Sequence, residues 1–148
     1  MNIRPALPAD AEAWLRLRRA LWPEGSEADH REDIDRFFAG EATEPVAVLL
    51  ATDQDDNVVG MAEMAIRPYA EGCASGRVAF LEGWFVASHA RRRGVGRSLV
   101  LAAEQWGRAQ GCTEMASDTP VHNTLGADAH KALGFEEVAI VRCFRKEL

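Results

Sequence analysis

Apolar positions change their spacing several times along the 148 residues, and each change marks an element. Asn2 to Arg4 reads as a short strand stopped by Pro5. Trp14, Leu17 and Leu21 then recur at helical spacing. Asp10 is placed to cap that helix, Glu12 suits its first turn, and Pro23 ends it at about Trp22. Ile34, Phe37 and Phe38 support a second helix, with Gly40 as its end signal. Val46–Ala51 and Val58–Ile66 are dense apolar runs joined by the turn Asp55-Asp56-Asn57, which predicts a hairpin of two strands. Val78–Val86 is a third such run, predicted to be buried on both faces. Val95, Leu99, Ala102 and Trp106 follow on one helical face, and that helix ends near Gly111. Cys112–Ser117 predicts a strand, Asn123 or Thr124 opens a helix through Leu133, and Phe135–Arg145 supplies the last strands. The order is strand, two helices, three strands, helix, strand, helix, strand. It predicts one α/β domain over residues 1–148 with antiparallel neighbours in its first half.

Charge sharpens this picture. Eight acidic residues and two arginines between Glu24 and Glu44 account for the whole net charge of −6, and the remaining charges cancel. One acidic segment beside one basic turn suits a cationic ligand and argues against nucleic acid as partner. Most of these carboxylates also fit a solvated helix face. No apolar run is long enough to cross a membrane. The three cysteines are widely spaced and read as reduced thiols of a cytoplasmic protein, and no spacing suggests a metal site.

The stretch between the third long strand and the next helix carries chemistry. Arg91, Arg92 and Arg93 crowd into a short loop, and Gly94 and Gly96 open the helix, with Val95 between them and Arg97 just after. The first N–H groups of a helix lack partners inside it and lie at the positive end of its dipole. Glycines let an anion approach that backbone, and arginines add charge-assisted bonds. No lysine follows in P-loop spacing, and Leu99 stands where a dinucleotide fingerprint needs its third glycine. Upstream, Glu82 lies inside an otherwise apolar strand, where a carboxylate is costly unless paired. Asp118 follows the neighbouring strand, as a site carboxylate or as a turn former.

Arg91-x-x-Gly94-x-Gly96, after a strand and before a helix, resembles the pyrophosphate-binding signature of the GCN5-related N-acetyltransferases. Leu21-Trp22-Pro23, Phe80-Leu-Glu-Gly83, Glu114-Met-Ala-Ser-Asp-Thr119, Asn123-Thr124 and Ala132-Leu-Gly-Phe-Glu-Glu137 resemble more narrowly the dimeric, chromosomally encoded aminoglycoside 6′-N-acetyltransferases, over nearly the full length. The resemblance implies a mixed, mostly antiparallel sheet flanked by helices. It implies acetyl transfer from acetyl-coenzyme A to a primary amine of an aminosugar, by a homodimer. The backbone of Trp84, Phe85 and Val86 would bind the thioester and pantetheine. Arg92, Arg93, Gly94, Val95, Gly96 and Arg97 would hold the pyrophosphate, and Asn123 would contact the cofactor. Trp22, Tyr69, Glu82 and Asp118 would meet the aminoglycoside. Many relatives carry a tyrosine in the last helix that could protonate the departing thiolate. Here the position is His130, which imidazolium chemistry suits, or which packs or meets solvent. Gly25 and Ala139 stand where close relatives often have a histidine and an acid. Other amine acceptors, or coenzyme A binding without catalysis, are the alternative readings.

Overall fold

The computed structural model describes residues 1–148. Five strands form one sheet in the order β1-β2-β3-β4-β5: Asn2–Pro5, Ala47–Thr52, Val58–Arg67, Val78–Val86 and Met115–Ser117. The first four pair antiparallel and β4 pairs β5 in parallel. A parallel neighbour needs a crossover, and α3 (Val95–Ala109) supplies it. The other helices are α1 (Ala11–Leu21), α2 (Glu27–Phe38) and α4 (Thr124–Ala132).

Side-chain alternation in the strands sorts the core into two layers. Val48, Leu50 and Met61 face α1 and α2, where they meet Trp14, Leu15, Leu17 and Ile34. Trp14 is fully buried, with Phe37 and Phe38 set edge-on to its ring at 5.2 and 5.8 Å. Ala51, Ala62, Met64 and Leu81 face the other way, onto Leu99, Val100 and Ala103 of α3. The register slips within β4. Glu63 pairs with Gly83 but Met64 pairs with Leu81, so Glu82 is an extra residue without a partner on β3. This bulge resets the alternation, so that Leu81 and Trp84, three residues apart, both pack on the α3 side, while Phe85 joins the α1 side.

Three expectations need correction. Asp10 does not cap α1. Its carboxylate accepts from Arg4 Nη1 at 2.7 Å and from the Leu7 amide at 2.7 Å, ordering a short turn at Pro8–Asp10 ahead of the helix. The strand drawn from Cys112 begins only at Met115. Gly111, at φ +82°, closes α3, and the Cys112 amide bonds back to the Gly107 carbonyl at 3.0 Å, which withdraws it from any ladder. Phe135–Arg145 forms no strand. The Phe135 amide closes α4 on the His130 carbonyl, and the arm beyond pairs with no strand of the sheet. Val138, Ile140, Val141 and Phe144 are left exposed.

Candidate active site

Strands β4 and β5 run together for three rungs, Ala79–Met115 to Leu81–Ser117, and then part. From Glu82 to Val86 the β4 backbone has β3 on one side and no strand on the other. That open edge carries the backbone of Trp84, Phe85 and Val86, and an extended amide-containing chain can pair with it as a strand would. The side chains of Trp84 and Phe85 are committed to the two core layers, which leaves their main chain for recognition.

The start of α3 lies at the end of this edge. Gly94 takes φ +80° and Arg92 φ +62°, so two left-handed residues turn the chain into the helix. No side chain caps it, and the amides of Val95, Gly96 and Arg97 precede the first intrahelical bond, from Ser98 to the Gly94 carbonyl. Gly96 has a different task. Trp84 Nε1 donates to its carbonyl at 3.2 Å, and a Cβ there would lie 3.2 Å from the indole. Arg92, Arg93 and Arg97 are exposed and form no ion pair, so all three are free for an anion. Arg91 is engaged inward: its Nε donates to the Val86 carbonyl at 2.9 Å and its guanidinium covers Phe85. Backbone donors, a helix dipole and three free cations fit a diphosphate.

Across the sheet lies an acidic cluster. Glu82 occupies the bulge, and Arg67 grips it by both oxygens, at 2.8 and 2.7 Å. The same guanidinium stacks 3.7 Å above Phe80, reaches Glu44 at 3.8 Å and feels the charge of Asp118. Hydrogen bonding to Glu82 first, then its charge and those of Glu44 and Asp118, hold Arg67 above the usual arginine range, so it stays a cation. Asp118 itself is exposed and carries no salt bridge. Trp22 is half-buried with its ring over Gly83, next to Glu82: a Cβ on Gly83 would lie 2.6 Å from Cη2. Tyr69 is 63% exposed, and its hydroxyl donates to Glu71; that bond first, and the carboxylate's charge after it, raise the phenol's pKa. It makes no hydrogen bond to Trp22, Glu82 or Asp118.

On the α3 side of the parting strands, His130 Nδ1 lies 2.6 Å from the Gly126 carbonyl and Nε2 lies 2.9 Å from Ser117 Oγ, which donates to the Leu81 carbonyl at 3.1 Å. The ring stands edge-on to Trp84 at 5.2 Å. Nδ1 faces a carbonyl and must carry a proton; a second proton on Nε2 lets the whole chain of bonds form at once. Asn123 has local duties: its Oδ1 caps α4 at the Gly126 amide and its Nδ2 donates to Thr119.

The structure thus places Trp22, Glu82 and Asp118 where the open edge of β4 begins, the arginine–glycine turn past its end, and His130 beside Trp84 between them. Sequence reasoning missed Arg67 and Ser117. No local pattern marks either, since Arg67 ends a strand and Ser117 sits in a short one. Most of the acidic segment proves to be a solvated face, and of its carboxylates only Glu27 and Glu32 pair with its own arginines, Arg31 at 3.5 Å and Arg36 at 3.3 Å. Glu44 alone of that segment reaches Arg67.

A mixed sheet whose β4 bulges and parts from β5 beside an uncapped, glycine-led helix defines an acetyltransferase scaffold. The chain belongs to the acetyltransferase (GNAT) family, whose sequence profile matches residues 14–135. It is 53% identical to the aminoglycoside N(6′)-acetyltransferase type 1 of Klebsiella aerogenes, over 99% of this chain and 96% of that one. The enzyme of the same description from Serratia marcescens is 42% identical, over 93% and 92% of the two chains. Among solved structures, AAC(6′)-Iy in complex with the bisubstrate analogue CoA-S-monomethyl-acetylneamine superposes with a TM-score of 0.90 at 39% identity, covering 99% of this chain and 98% of that one. The apo 6′-N-acetyltransferase AAC(6′)-IG of Acinetobacter haemolyticus gives 0.91 at 38% identity, covering 100% and 99%.

Proposed function

We propose that this protein transfers the acetyl group of acetyl-coenzyme A to the 6′-amino group of aminoglycosides, as a single domain, by direct attack of the amine on the thioester. The observation that carries the reading is the pairing of two opposite charge sites around one bulged strand. A cationic turn for a diphosphate lies near one end of the open β4 edge, and Glu44, Glu82 and Asp118 gather near the other. The likeness to enzymes so described, over nearly the whole chain, gives the acceptor its chemical identity.

The residues divide the work. Arg92, Arg93, Arg97 and the amides from Val95 to Arg97 hold the diphosphate, and the edge from Trp84 to Val86 holds the pantetheine amides and steadies charge on the attacked carbonyl. Trp22 and Tyr69 wall the acceptor, while the acids attract its ammonium groups. An ammonium must lose a proton before it attacks. Glu82 already spends both oxygens on Arg67, so Asp118, exposed and unpaired, takes that proton directly or through water. The Ser117 hydroxyl, turned from the Leu81 carbonyl, gives its proton to the departing thiolate and takes one from His130 Nε2.

The protein works in the cytoplasm, where acetyl-coenzyme A is made, and as a homodimer. Support for the dimer is the exposed apolar arm after α4, which one chain cannot cover. The test of the activity is thiol release from acetyl-coenzyme A with kanamycin- or tobramycin-like acceptors. Acetylation mapped to the 6′ nitrogen is expected, and no turnover across such a panel would overturn the reading.

A further inference from the structure

We infer that His30 is a positioning residue for acceptor selectivity, fixing the indole of Trp22 on the bulge of β4 through Arg18 and the Trp22 backbone. The inference rests on the acceptor lying against Trp22, as proposed above.

The network begins at a buried charge. Glu63 pairs with Gly83 across the bulge and is 1% exposed. Burial pushes its carboxyl up, and Arg18 and Trp14 pull it back. Arg18 Nη1 bonds both oxygens at 2.6 and 2.9 Å, and Trp14 Nε1 donates at 2.7 Å. The rest of the guanidinium is equally occupied. Nη2 donates to Asp33 at 2.7 Å, and Nε donates to His30 Nδ1 at 3.2 Å. An Nδ1 that accepts leaves the ring proton on Nε2, and Nε2 lies 3.1 Å from the Trp22 carbonyl. Arginine, always charged, therefore sets the tautomer of His30, and that tautomer holds the main chain at Trp22.

The same two residues, bonded to each other, also pack beside the side chain. The Arg18 guanidinium lies 5.0 Å from the centre of a Trp22 ring, and the His30 ring lies nearly parallel to it, at 19° and 6.4 Å. The indole also rests on Gly83, where no Cβ fits. His30 in turn fills the space beside Gly25: a Cβ there would come 2.9 Å from Nε2 and 3.1 Å from Cε1. Thus β4, α1, α2 and the turn between the helices leave the indole one place. A wall set before the acceptor arrives binds it without an ordering cost. None of these contacts touches the backbone of Trp84 to Val86 or the α3 turn, so their loss should be felt by the acceptor and not by acetyl-coenzyme A.

Gly25→Ala tests the network from outside and His30→Ala from within. Both should raise the acceptor KM about tenfold, the effect of one lost charge-linked hydrogen bond, with the KM for acetyl-coenzyme A unchanged. His30→Gln, which offers one acceptor and one donor, should restore most of the loss. The Gly25→Ala/His30→Ala double variant should be no worse than His30→Ala, because the space the new methyl needs is then vacant. Fluorotryptophan NMR of the substrate-free protein gives a readout that needs no acceptor. The Trp22 signal, assigned with Trp22→Phe, should move in Gly25→Ala and His30→Ala while those of Trp84 and Trp106 stay. A wrong acceptor assignment leaves this shift intact, which separates its failure from failure of the network. An unmoved Trp22 signal, an additive double variant, or both KM values rising together would overturn the inference.

Discussion

The Arg67 guanidinium meets the Glu82 carboxylate side-on, Nε to Oε1 and Nη2 to Oε2, with its Cζ 3.7 Å from the centre of the Phe80 ring. An internal cation therefore stands in a cluster that otherwise reads as a trap for external ones. Replacing it unmasks Glu44, Glu82 and Asp118 and also lets Glu82 swing free. We expect Arg67→Met to lower the KM for a polycationic acceptor severalfold at low salt, with the gain shrinking as salt screens it. The kcat should fall about tenfold, because a misplaced anchor misplaces the amine. Steady-state kinetics at two ionic strengths check both signs, and an unchanged kcat would remove Glu82 from substrate positioning.

Arg92 sets charge against backbone conformation. Its φ of +62° disfavours any side chain, and a non-glycine residue there costs about 1–2 kcal/mol. Arg92→Gly should raise stability by about 1 kcal/mol in urea unfolding. It should also weaken acetyl-coenzyme A binding severalfold by calorimetry, since one of three free cations is gone. Gains in both quantities would mean that Arg92 does not face the diphosphate.

Much of this arrangement could be read from the chain before any coordinates, for a physical reason. The β4 run, the three arginines, Gly94 and Gly96 act over neighbouring positions, so their pattern is local and visible. The Arg67–Glu82 pair depends on the register of two strands and on a bulge, and no local period reveals a bulge. Glu63 was visible as a carboxylate inside the apolar run Val58–Ile66, but its partners come from α1, on the far side of two elements. The two overdrawn strands failed for separate reasons. At Cys112 the helix-closing bond back to Gly107 took the amide, and in the arm an apolar pattern stays unpaired although β1 and β5 leave their outer edges open.

Asp10 gives a pH signature of stability. The bond to Arg4 first, with the Leu7 amide adding to it, holds its carboxyl below the ordinary 3.8. Lowered in the folded state, the group contributes stability that is fully present above its unfolded value and is lost as pH falls through the folded one. Asp10→Asn should cost about 1 kcal/mol at neutral pH, an amount moderated by the partial exposure of Arg4. The gap between variant and wild type should close as pH drops below about 4. Urea unfolding at neutral and acid pH decides it, and a constant gap would assign the loss to packing.

The arm after α4 bears on assembly. Val138 is seated over Gly72, where a Cβ would lie 2.7 Å from it, so the arm leaves the body in a defined direction. Beyond that anchor, Ile140 is 71% and Phe144 91% exposed, far more apolar surface than a free tail keeps in water without cost. If a second copy covers them, charges at these positions cost the full desolvation of the interface and should split it. Light scattering should give a dimer mass for the wild type and a monomer mass for Ile140→Asp/Phe144→Asp. Far-ultraviolet circular dichroism should not change between them, because neither residue touches a core layer. A wild-type monomer, or a variant that remains a dimer, would place the interface elsewhere or remove it.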